Sequence, residues 1–219
     1  MAGGITGGLP AVVAWTQLEK SGEQQRARFN KQPSVQREVD SAQAAAAKVK
    51  NVEDLLGNRR LLNFVLSAYG LESEVDKRGL LRKVLTSDLA DQNSFANRTN
   101  DPRFRELAQA LNFQAVGANN IKNEATFKSI ELRYRKNEFE KAQGDASPGL
   151  REALYFKENV KNVKNIYDVL GDRTLRAVVS KAFDIPLETA VQSVESQAVA
   201  FGRTVDVVKL QVKNWVERN

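Results

Sequence analysis

Apolar residues recur at three- and four-residue spacings along most of this 219-residue chain, which is the pattern of amphipathic helices. Alternating apolar and polar runs of β-branched and aromatic residues, which are typical of strands, are absent from the sequence. Only five prolines and thirteen glycines interrupt it, so long stretches can stay helical. The chain is therefore predicted to be all-α, with a glycine-rich flexible segment over residues 1–9 and a single multi-helix domain over residues 10–219.

Local signals place the ends of several helices. The first helix is predicted to begin at residue 10 or 11 and to end near Arg28, and Ser34 is predicted to cap the second helix. Asp101 and Pro102 form the N-cap and first-turn pair of another helix. Further helices are predicted over residues 74–85, 119–143 and 187–201, with a turn over residues 144–148.

The predicted second helix carries a narrow stripe of small apolar residues. The stripe consists of Val35, Val39, Ala42, Ala46 and Val49, and its spacing of 4-3-4-3 fits two heptads. Small side chains let a second helix approach closely. A core helix that packs within its own domain is the favoured interpretation, because coiled coils need a longer run. The alternative is that the stripe is a surface for a protein partner, and it is the candidate partner surface of this sequence.

One segment of the sequence occurs twice. Residues 49–71, VKNVEDLLGNRRLLNFVLSAYGL, align without a gap with residues 163–185, VKNIYDVLGDRTLRAVVSKAFDI. Ten of the 23 aligned positions are identical, and most of the others exchange one apolar residue for another. Solenoids and propellers repeat at much shorter intervals. The match therefore indicates an internal duplication, in which two related helical halves pack against each other.

Each copy contains a glycine between two predicted helical segments. Gly57 and Gly171 are predicted to end a short helix in the left-handed conformation, which glycine adopts at little cost. Asn58 and Asp172 follow them and are good N-cap residues for the next helix. Ion pairs across these turns are predicted as structural braces, namely Asp54 with Arg59 and Asp168 with Arg173.

The amino-acid composition removes most catalytic designs. The chain has no cysteine and no histidine, which excludes thiolate nucleophiles, imidazole acid–base chemistry and metal sites that need either ligand. The acidic stretch that begins at Asp88 does not match an EF-hand loop, because it has Ala90 at the third position, Gln92 at the fifth and Thr99 in place of the glutamate at the twelfth. Glu131, Glu138 and Glu140 lack the Glu-x-x-His partners of a di-metal bundle and are interpreted as a solvated face. We expect no cofactor and no metal.

The net charge of +6 at pH 7 and the isoelectric point near 9.5 allow nucleic acid or an anionic membrane as a partner. The basic residues are spread along the chain among 27 acidic residues, so solvated helix faces are the better interpretation. The apolar stretch Leu9–Trp15 is too short to span a membrane, and no basic residue precedes it as in a secretory signal. We expect a cytoplasmic protein that does not insert into a membrane.

Several strings of this sequence are similar to a known family. They are LLGNRRLLNFVLSAYGLE, SFANRTNDPRFRELAQALNF, FEKAQGD, LREALYFKENV and VLGDRTLRAVVSKAF. Together they resemble a family of unknown function known mainly from alphaproteobacteria, whose members are often encoded beside flagellar genes. The resemblance covers nearly the whole chain, although the C-terminal VVKLQVKNWVERN lacks an expected Asp-Pro turn before the last helix. It implies an all-helical domain and a link to motility, and it implies no catalytic residue.

Two functions remain from different classes. The first is a non-enzymatic structural or adaptor protein of the bacterial flagellum, possible partners being flagellar components. The second is a basic nucleic-acid-binding or regulatory protein, for which the charge is the only support. A helical enzyme comes a distant third, because the missing histidine and cysteine leave few routes to catalysis.

Overall fold

The helical periodicity of the sequence matches the fold of the computed structural model, which describes residues 11–210. Within this range there is no strand. The α-helices are Ala11–Asn30 (α1), Pro33–Ala46 (α2), Val52–Gly57 (α3), Arg59–Ala68 (α4), Arg78–Leu85 (α5), Phe95–Arg98 (α6), Pro102–Leu111 (α7), Phe113–Val116 (α8), Asn119–Lys122 (α9), Glu124–Ala146 (α10), Leu150–Asn159 (α11), Ile166–Gly171 (α12), Arg173–Ala182 (α13), Val194–Thr204 (α14) and Val207–Leu210 (α15). Short 3-10 helices occupy Glu72–Glu74, Val160–Asn162 and Leu187–Val191. The predicted flexible segment at residues 1–9 and the end of the last helix lie outside the described residues.

Most predicted helices are present, but capping residues divide two of them and a third begins later than predicted. The helix predicted over residues 119–143 is split at Asn123, whose side-chain oxygen accepts a hydrogen bond from the Thr126 amide at 3.1 Å and so begins α10. Ser193 likewise begins α14 and separates it from the preceding 3-10 helix. Asparagine and serine favour caps over helix interiors because their side chains compete for backbone hydrogen bonds. The helix predicted over residues 74–85 also begins later than expected, at Arg78 of α5, although no side chain caps it there.

Two predicted boundaries near prolines are wrong by a few residues. Gln32 is the N-cap of α2, with Pro33 in its first turn, so Ser34 already lies within the helix. Proline suits this position because its fixed φ is helical and its missing N–H would be unpaired there anyway. The turn predicted over residues 144–148 comes later, because α10 continues to Ala146 and Gly149 takes the left-handed conformation. The Asp101–Pro102 start of α7 is confirmed.

The stripe on α2 faces the interior of the protein. Its members Val35, Val39, Ala42, Ala46 and Val49 are only 2–7% exposed. Four of them belong to the main hydrophobic cluster, and Val35 belongs to the cluster beside α1. Since α2 packs against α4 and α10, the stripe is covered by helices of the same chain. The interpretation of the stripe as a partner surface is therefore wrong, and the core interpretation is correct.

Helix α10 lies at the centre of a single all-α domain. It packs against α4 on one side and α11 on the other, as expected for a long helix whose apolar residues are spread around its axis. On the α4 side, the Phe64 ring lies between Tyr134 and Phe127, with ring centroids 4.1 and 5.9 Å away. The main cluster contains 28 buried side chains, from α2 through to α10. A second, smaller cluster of 10 buried side chains joins α11 to α15.

The two copies of the repeated segment adopt the same local structure. Asn51 and Asn165 cap the short helices α3 and α12 with nearly identical backbone angles, φ −152° and −151°. Asn58 and Asp172 then cap α4 and α13, as predicted. The flanking elements also occur in the same order, so we call α2–α5 the first unit and α11–α14 the second unit. The duplication that this order suggests remains a prediction.

The predicted role of the two turn glycines is wrong. Gly57 and Gly171 are the last residues of α3 and α12, and neither has a positive φ. The left-handed position of each unit comes one helix later, at Gly70 with φ 65° and at Asp184 with φ 50°. There the chain turns back after α4 or α13, where glycine is favoured. Gly171 has a different reason to be glycine, because a Cβ at that position would lie 3.1 Å from the Asn100 carbonyl oxygen.

The predicted braces across the glycine turns are also replaced by other contacts. The Asp54 and Asp168 carboxylates accept hydrogen bonds from the amides of Lys50 and Lys164, at 2.8 and 2.7 Å. They stabilise the start of the short helix and do not pair across its end. Arg59 instead forms its ion pair with Asp76.

Candidate functional site between the two units

A polar cleft lies where the second unit meets α7 and α10. It consists of two adjoining cavities of about 370 and 420 Å³. Five residues line both cavities, namely Arg103, Glu106, Tyr155, Asn159 and Asn162. Concave sites with convergent polar groups are the usual place for ligands and catalysis, so this cleft is the first region to consider for a function.

Arg103 connects α7 to the turn that follows α4 in the first unit. Its Nη1 donates to the Gly70 carbonyl oxygen at 2.6 Å, and its Nη2 and Nε donate to the Asp101 carboxylate at 2.6 and 2.9 Å. Burial disfavours the charged guanidinium, but the hydrogen bonds and negative charge of Asp101 outweigh this effect, and the pKa of Arg103 is raised. The guanidinium is therefore a fixed cation whose donors are engaged within the protein.

Tyr155 and Asp172 form the opposite wall of the cleft. The Tyr155 hydroxyl donates to Asp172 Oδ2 at 2.6 Å, while Asp172 Oδ1 accepts from the amides of Thr174 and Leu175. Burial and the neighbouring carboxylate raise the pKa of Tyr155 far above its usual range. A phenol in this state keeps its proton near neutral pH, and Asp172 is already engaged as the cap of α13. Neither group is free to act as a general base.

Backbone from the loop that precedes α7 touches the second unit directly at the edge of this cleft. The Asn100 carbonyl lies against Gly171 at the end of α12, close enough that a side chain there would have to displace it. The segment from Asn100 to Arg103 thus contacts Gly70 of the first unit and Gly171 of the second. This short segment joins the two units.

Two carboxylates share one lysine on the α10 side of the cleft. Lys136 forms an ion pair with Glu158 of α11 and lies 3.8 Å from Glu140 on its own helix. Glu140 is 6% exposed. Burial raises its pKa; Lys136 lowers it and Glu158 raises it further, and the net result is a raised pKa. Burial thus favours the neutral form of the Glu140 carboxyl group.

A hydrogen-bonded network continues along α10. The Ser67 hydroxyl donates to Glu138 at 2.8 Å, and the Asn137 amide donates to both Ser67 and Glu72. Arg151 of α11 donates to Glu72 and to Asn137, each at 3.0 Å. These bonds fix α10 between α4 and α11, and each polar group has a partner, as buried groups require.

The prediction that Glu131, Glu138 and Glu140 form a solvated face is wrong. Glu131 is 8% exposed, and it accepts a hydrogen bond from Arg135 at 2.7 Å. Arg135 also donates to the Asn30 carbonyl and to Gln36, so this pair holds the connection between α1 and α2. Burial raises the pKa of Glu131, but the hydrogen bonds from Lys128 and Arg135 outweigh this and lower it overall. The charges are buried because they are paired.

Several basic residues of the helices are engaged in ion pairs. Arg60 pairs with Glu38, Arg82 with Glu53 and Arg133 with Glu106, and Lys157 of α11 pairs with Glu19 of α1. Their charge is therefore compensated locally and is not collected in one groove. In the described part of the chain there is no cluster of acidic residues that could hold a metal. Nor does any helix within residues 11–210 combine the length and apolarity needed to cross a bilayer.

Comparison with known proteins identifies the family. The profile of a family described as "Protein of unknown function (DUF1217)" matches residues 68–216. The chain belongs to the DUF1217 family. It is also similar to a crystal structure of an Agrobacterium tumefaciens protein determined by a structural genomics consortium, with 29% sequence identity and a TM-score of 0.77. That alignment covers 95% of this chain and 90% of the other. No curated protein matches this chain.

The region shared with DUF1217 begins inside the first unit. It leaves out α2, α3 and nearly all of α4, but it contains every residue that lines the cleft. The site residues of this DUF1217 member are thus different from those the sequence suggested. The α2 stripe lies in the core and Gly57 does not line the cleft, whereas Gly171 does.

The roles of Arg103, Tyr155 and the buried acids of α10 differ from, or were absent from, the predictions made from the sequence. A local signal exists for some of them. Glu131 and Arg135 are spaced i, i+4, which favours an ion pair on one helix face. The Arg103–Gly70 and Tyr155–Asp172 contacts join residues from different helices, and nothing in the local sequence of this DUF1217 member indicates them.

Proposed function

We propose that this protein is a structural or adaptor component of the bacterial flagellar system that acts by binding other proteins and catalyses no reaction. One observation carries the proposal. The Arg103 guanidinium, the Tyr155 hydroxyl and the Lys136 ammonium group of the cleft are engaged in contacts with other parts of the same chain. The flagellar part is supported by the resemblance of the sequence to a family often encoded beside flagellar genes.

The electrostatics of the cleft support the non-enzymatic part. A catalytic acid or base works best with a pKa near the working pH and with access to a substrate. Burial and Asp172 raise the pKa of Tyr155 far above the working range. The hydrogen bonds and the charge of Asp101 raise the pKa of Arg103 and keep its guanidinium charged. Perturbed pKa values also occur in structural networks, and here each perturbed group is part of a contact between helices.

A nucleic-acid-binding function has less support. Arg59, Arg60 and Arg82 lie on the first unit and each forms an ion pair with a carboxylate of this chain. Compensated charge contributes little to the release of counterions that drives binding to DNA. We expect binding to a labelled duplex to be weak, independent of sequence and abolished by added salt.

A clean deletion in the source organism tests the proposal. We expect the deletion strain to lose swimming in soft agar, with shortened, missing or paralysed filaments by electron microscopy, and with normal growth on single carbon sources. Expression of the gene from a plasmid should restore swimming, which controls for effects on neighbouring genes. If the deletion strain swims normally and has normal filaments, the flagellar assignment is wrong. A growth defect on particular substrates would favour an enzyme instead.

A further inference from the structure

Corresponding helices of the two units are buried to different extents. In α4, Phe64, Ser67 and Ala68 are 3%, 1% and 7% exposed. Their counterparts in the repeated segment are Val178, Lys181 and Ala182 of α13. Val178 is half-buried, and the other two are exposed. The second unit therefore leaves open a face that the first unit covers, and we call Val178, Lys181 and Ala182 the open face.

Helix α10 is what covers this face in the first unit. Its Tyr134 and Phe127 rings stack on Phe64, and its Glu138 accepts the hydrogen bond from the Ser67 hydroxyl. Helix α13 packs against α11 and α12, which correspond to α2 and α3. Within residues 11–210 no helix lies across α13 as α10 lies across α4.

The open face has a smaller apolar side chain and an additional cation compared with the corresponding face of α4. Val178 is smaller than Phe64, so an aromatic ring from another helix has room beside it. Lys181 replaces Ser67, the residue whose partner on α10 is a carboxylate. A long cation at this position can still reach a carboxylate, and the ion pair needs less close packing than the hydroxyl contact does.

The lysine of the open face forms no salt bridge in the described part of the chain. Arg59 and Arg60 at the start of α4 each have a carboxylate partner. Lys181 is exposed, and it forms no salt bridge with any other residue of the described range 11–210. A cation in this position attracts a negatively charged partner, and electrostatic complementarity of this kind sets specificity and association rate.

We propose that the open face of α13 binds an acidic amphipathic helix of another protein, which lies across α13 in the way that α10 lies across α4. The partner helix places an aromatic side chain against Val178 and Ala182 and a carboxylate on Lys181. This is recognition of an amphipathic helix through its apolar face, with charge fixing the register. The inference rests on the proposed adaptor function and names the surface through which it works.

The test uses a peptide derived from α10, because α10 already has the side chains that fit this kind of face. The probe is a fluorescein-labelled peptide with the 23-residue sequence of α10, in which the lysine and arginine residues are replaced by alanine so that the acids and the aromatic residues remain. Its binding to the full-length protein is measured by fluorescence anisotropy at low and physiological salt. A scrambled peptide of the same composition controls for attraction by charge alone.

Variants of the protein locate the binding site. Lys181→Glu and Ala182→Glu change exposed positions of the open face, and Lys20→Glu makes the same change of charge at an exposed position on α1. We expect saturable binding of the probe, at least tenfold weaker for each open-face variant and unchanged within twofold for Lys20→Glu. Far-UV circular dichroism of each variant checks that the fold is intact.

Other results would overturn the inference. These are absence of saturable binding, equal binding of the scrambled peptide, or equal affinity of Lys181→Glu and Lys20→Glu. Tight binding of a 20-base-pair duplex that Lys181→Glu abolishes would assign the open face to nucleic acid, and dimerisation that Ala182→Glu abolishes would assign it to a second copy of the chain. The deletion phenotype does not depend on any of these measurements. The peptide test can therefore fail while the deletion strain loses swimming, and the peptide can bind while the deletion strain swims normally.

Discussion

Gly57 and Gly171 offer a matched pair of substitutions, because they occupy equivalent positions with different surroundings. Both end a short helix without a positive φ. A Cβ added at Gly57 meets nothing within 4 Å, whereas a Cβ at Gly171 lies 3.1 Å from the Asn100 carbonyl oxygen. Gly57→Ala therefore measures the effect of alanine on the helix alone, and Gly171→Ala measures the same effect together with the contact between the two units.

The expected magnitudes follow from these two contributions. Alanine limits the unfolded chain and favours the helix, so Gly57→Ala should raise the free energy of unfolding by about 0.4–1 kcal/mol. Gly171→Ala has the same favourable effect on the helix and on the unfolded chain. The new methyl group must also displace the Asn100 carbonyl, and overpacking of this kind costs about 1–3 kcal/mol. We expect Gly171→Ala to be destabilised by about 1 kcal/mol. In a protein of this size each kcal/mol corresponds to roughly 2–4 °C in Tm.

Urea and thermal unfolding followed by circular dichroism at 222 nm measure both variants against the natural protein. The free energy of unfolding should rise in Gly57→Ala and fall in Gly171→Ala. A loss of stability in Gly57→Ala would mean that Gly57 needs a left-handed backbone, contrary to the structure. An equal gain in both variants would show that the contact between Asn100 and Gly171 does not constrain the second unit.

Further predictions concern the core, the turn after α13 and the cleft. Ala46→Asp puts an unpaired charge into the core and should destabilise the protein by about 3 kcal/mol or more, while Ala44→Asp on the exposed side of α2 should stay within about 0.5 kcal/mol, both measured in urea. Asp184→Gly should raise Tm, because a left-handed residue without a Cβ gains about 0.5–1 kcal/mol; a lower Tm would mean that the Asp184 side chain stabilises the turn. Glu140 has a raised pKa in the folded state, so the stability present below its unfolded pKa of 4.5 is lost as pH rises through the raised value. Glu140→Gln should therefore unfold at higher urea concentration than the natural protein at pH 8 and at the same concentration at pH 4, and a constant difference at both pH values would contradict the shift.

The parts of the fold that depend on neighbouring residues were predictable from the sequence. Helical periodicity placed most helices, and the caps at Asn58, Asp172 and Asp101 were correct because a side chain and an amide two or three residues away decide them. The burial of the α2 stripe follows from the same periodicity. The divisions at Asn123 and Ser193 were not predicted, because the apolar periodicity continues across both residues. Each residue ends the preceding helix only because its side chain accepts a hydrogen bond from a backbone amide of the next one.

The cleft could not be predicted because its contacts join distant residues. Glu131 and Glu140 look like solvent-facing acids in the sequence, and they are buried because α10 has neighbours on both sides. Gly171 and Gly57 are indistinguishable in the alignment of the two copies. The close approach of Asn100, from a loop that precedes α7, is what separates them.

The unequal size of the two hydrophobic clusters has a consequence for the dynamics of this protein. The second unit is supported by 10 buried side chains, against 28 in the main cluster. Regions with less buried apolar contact open at lower free energy than the whole molecule and form separate cooperative units in native-state hydrogen exchange. Amides of α13 should therefore exchange through a partial opening, while those of α4 exchange only when the whole protein unfolds. A helix bound across α13 would slow exchange in the second unit alone.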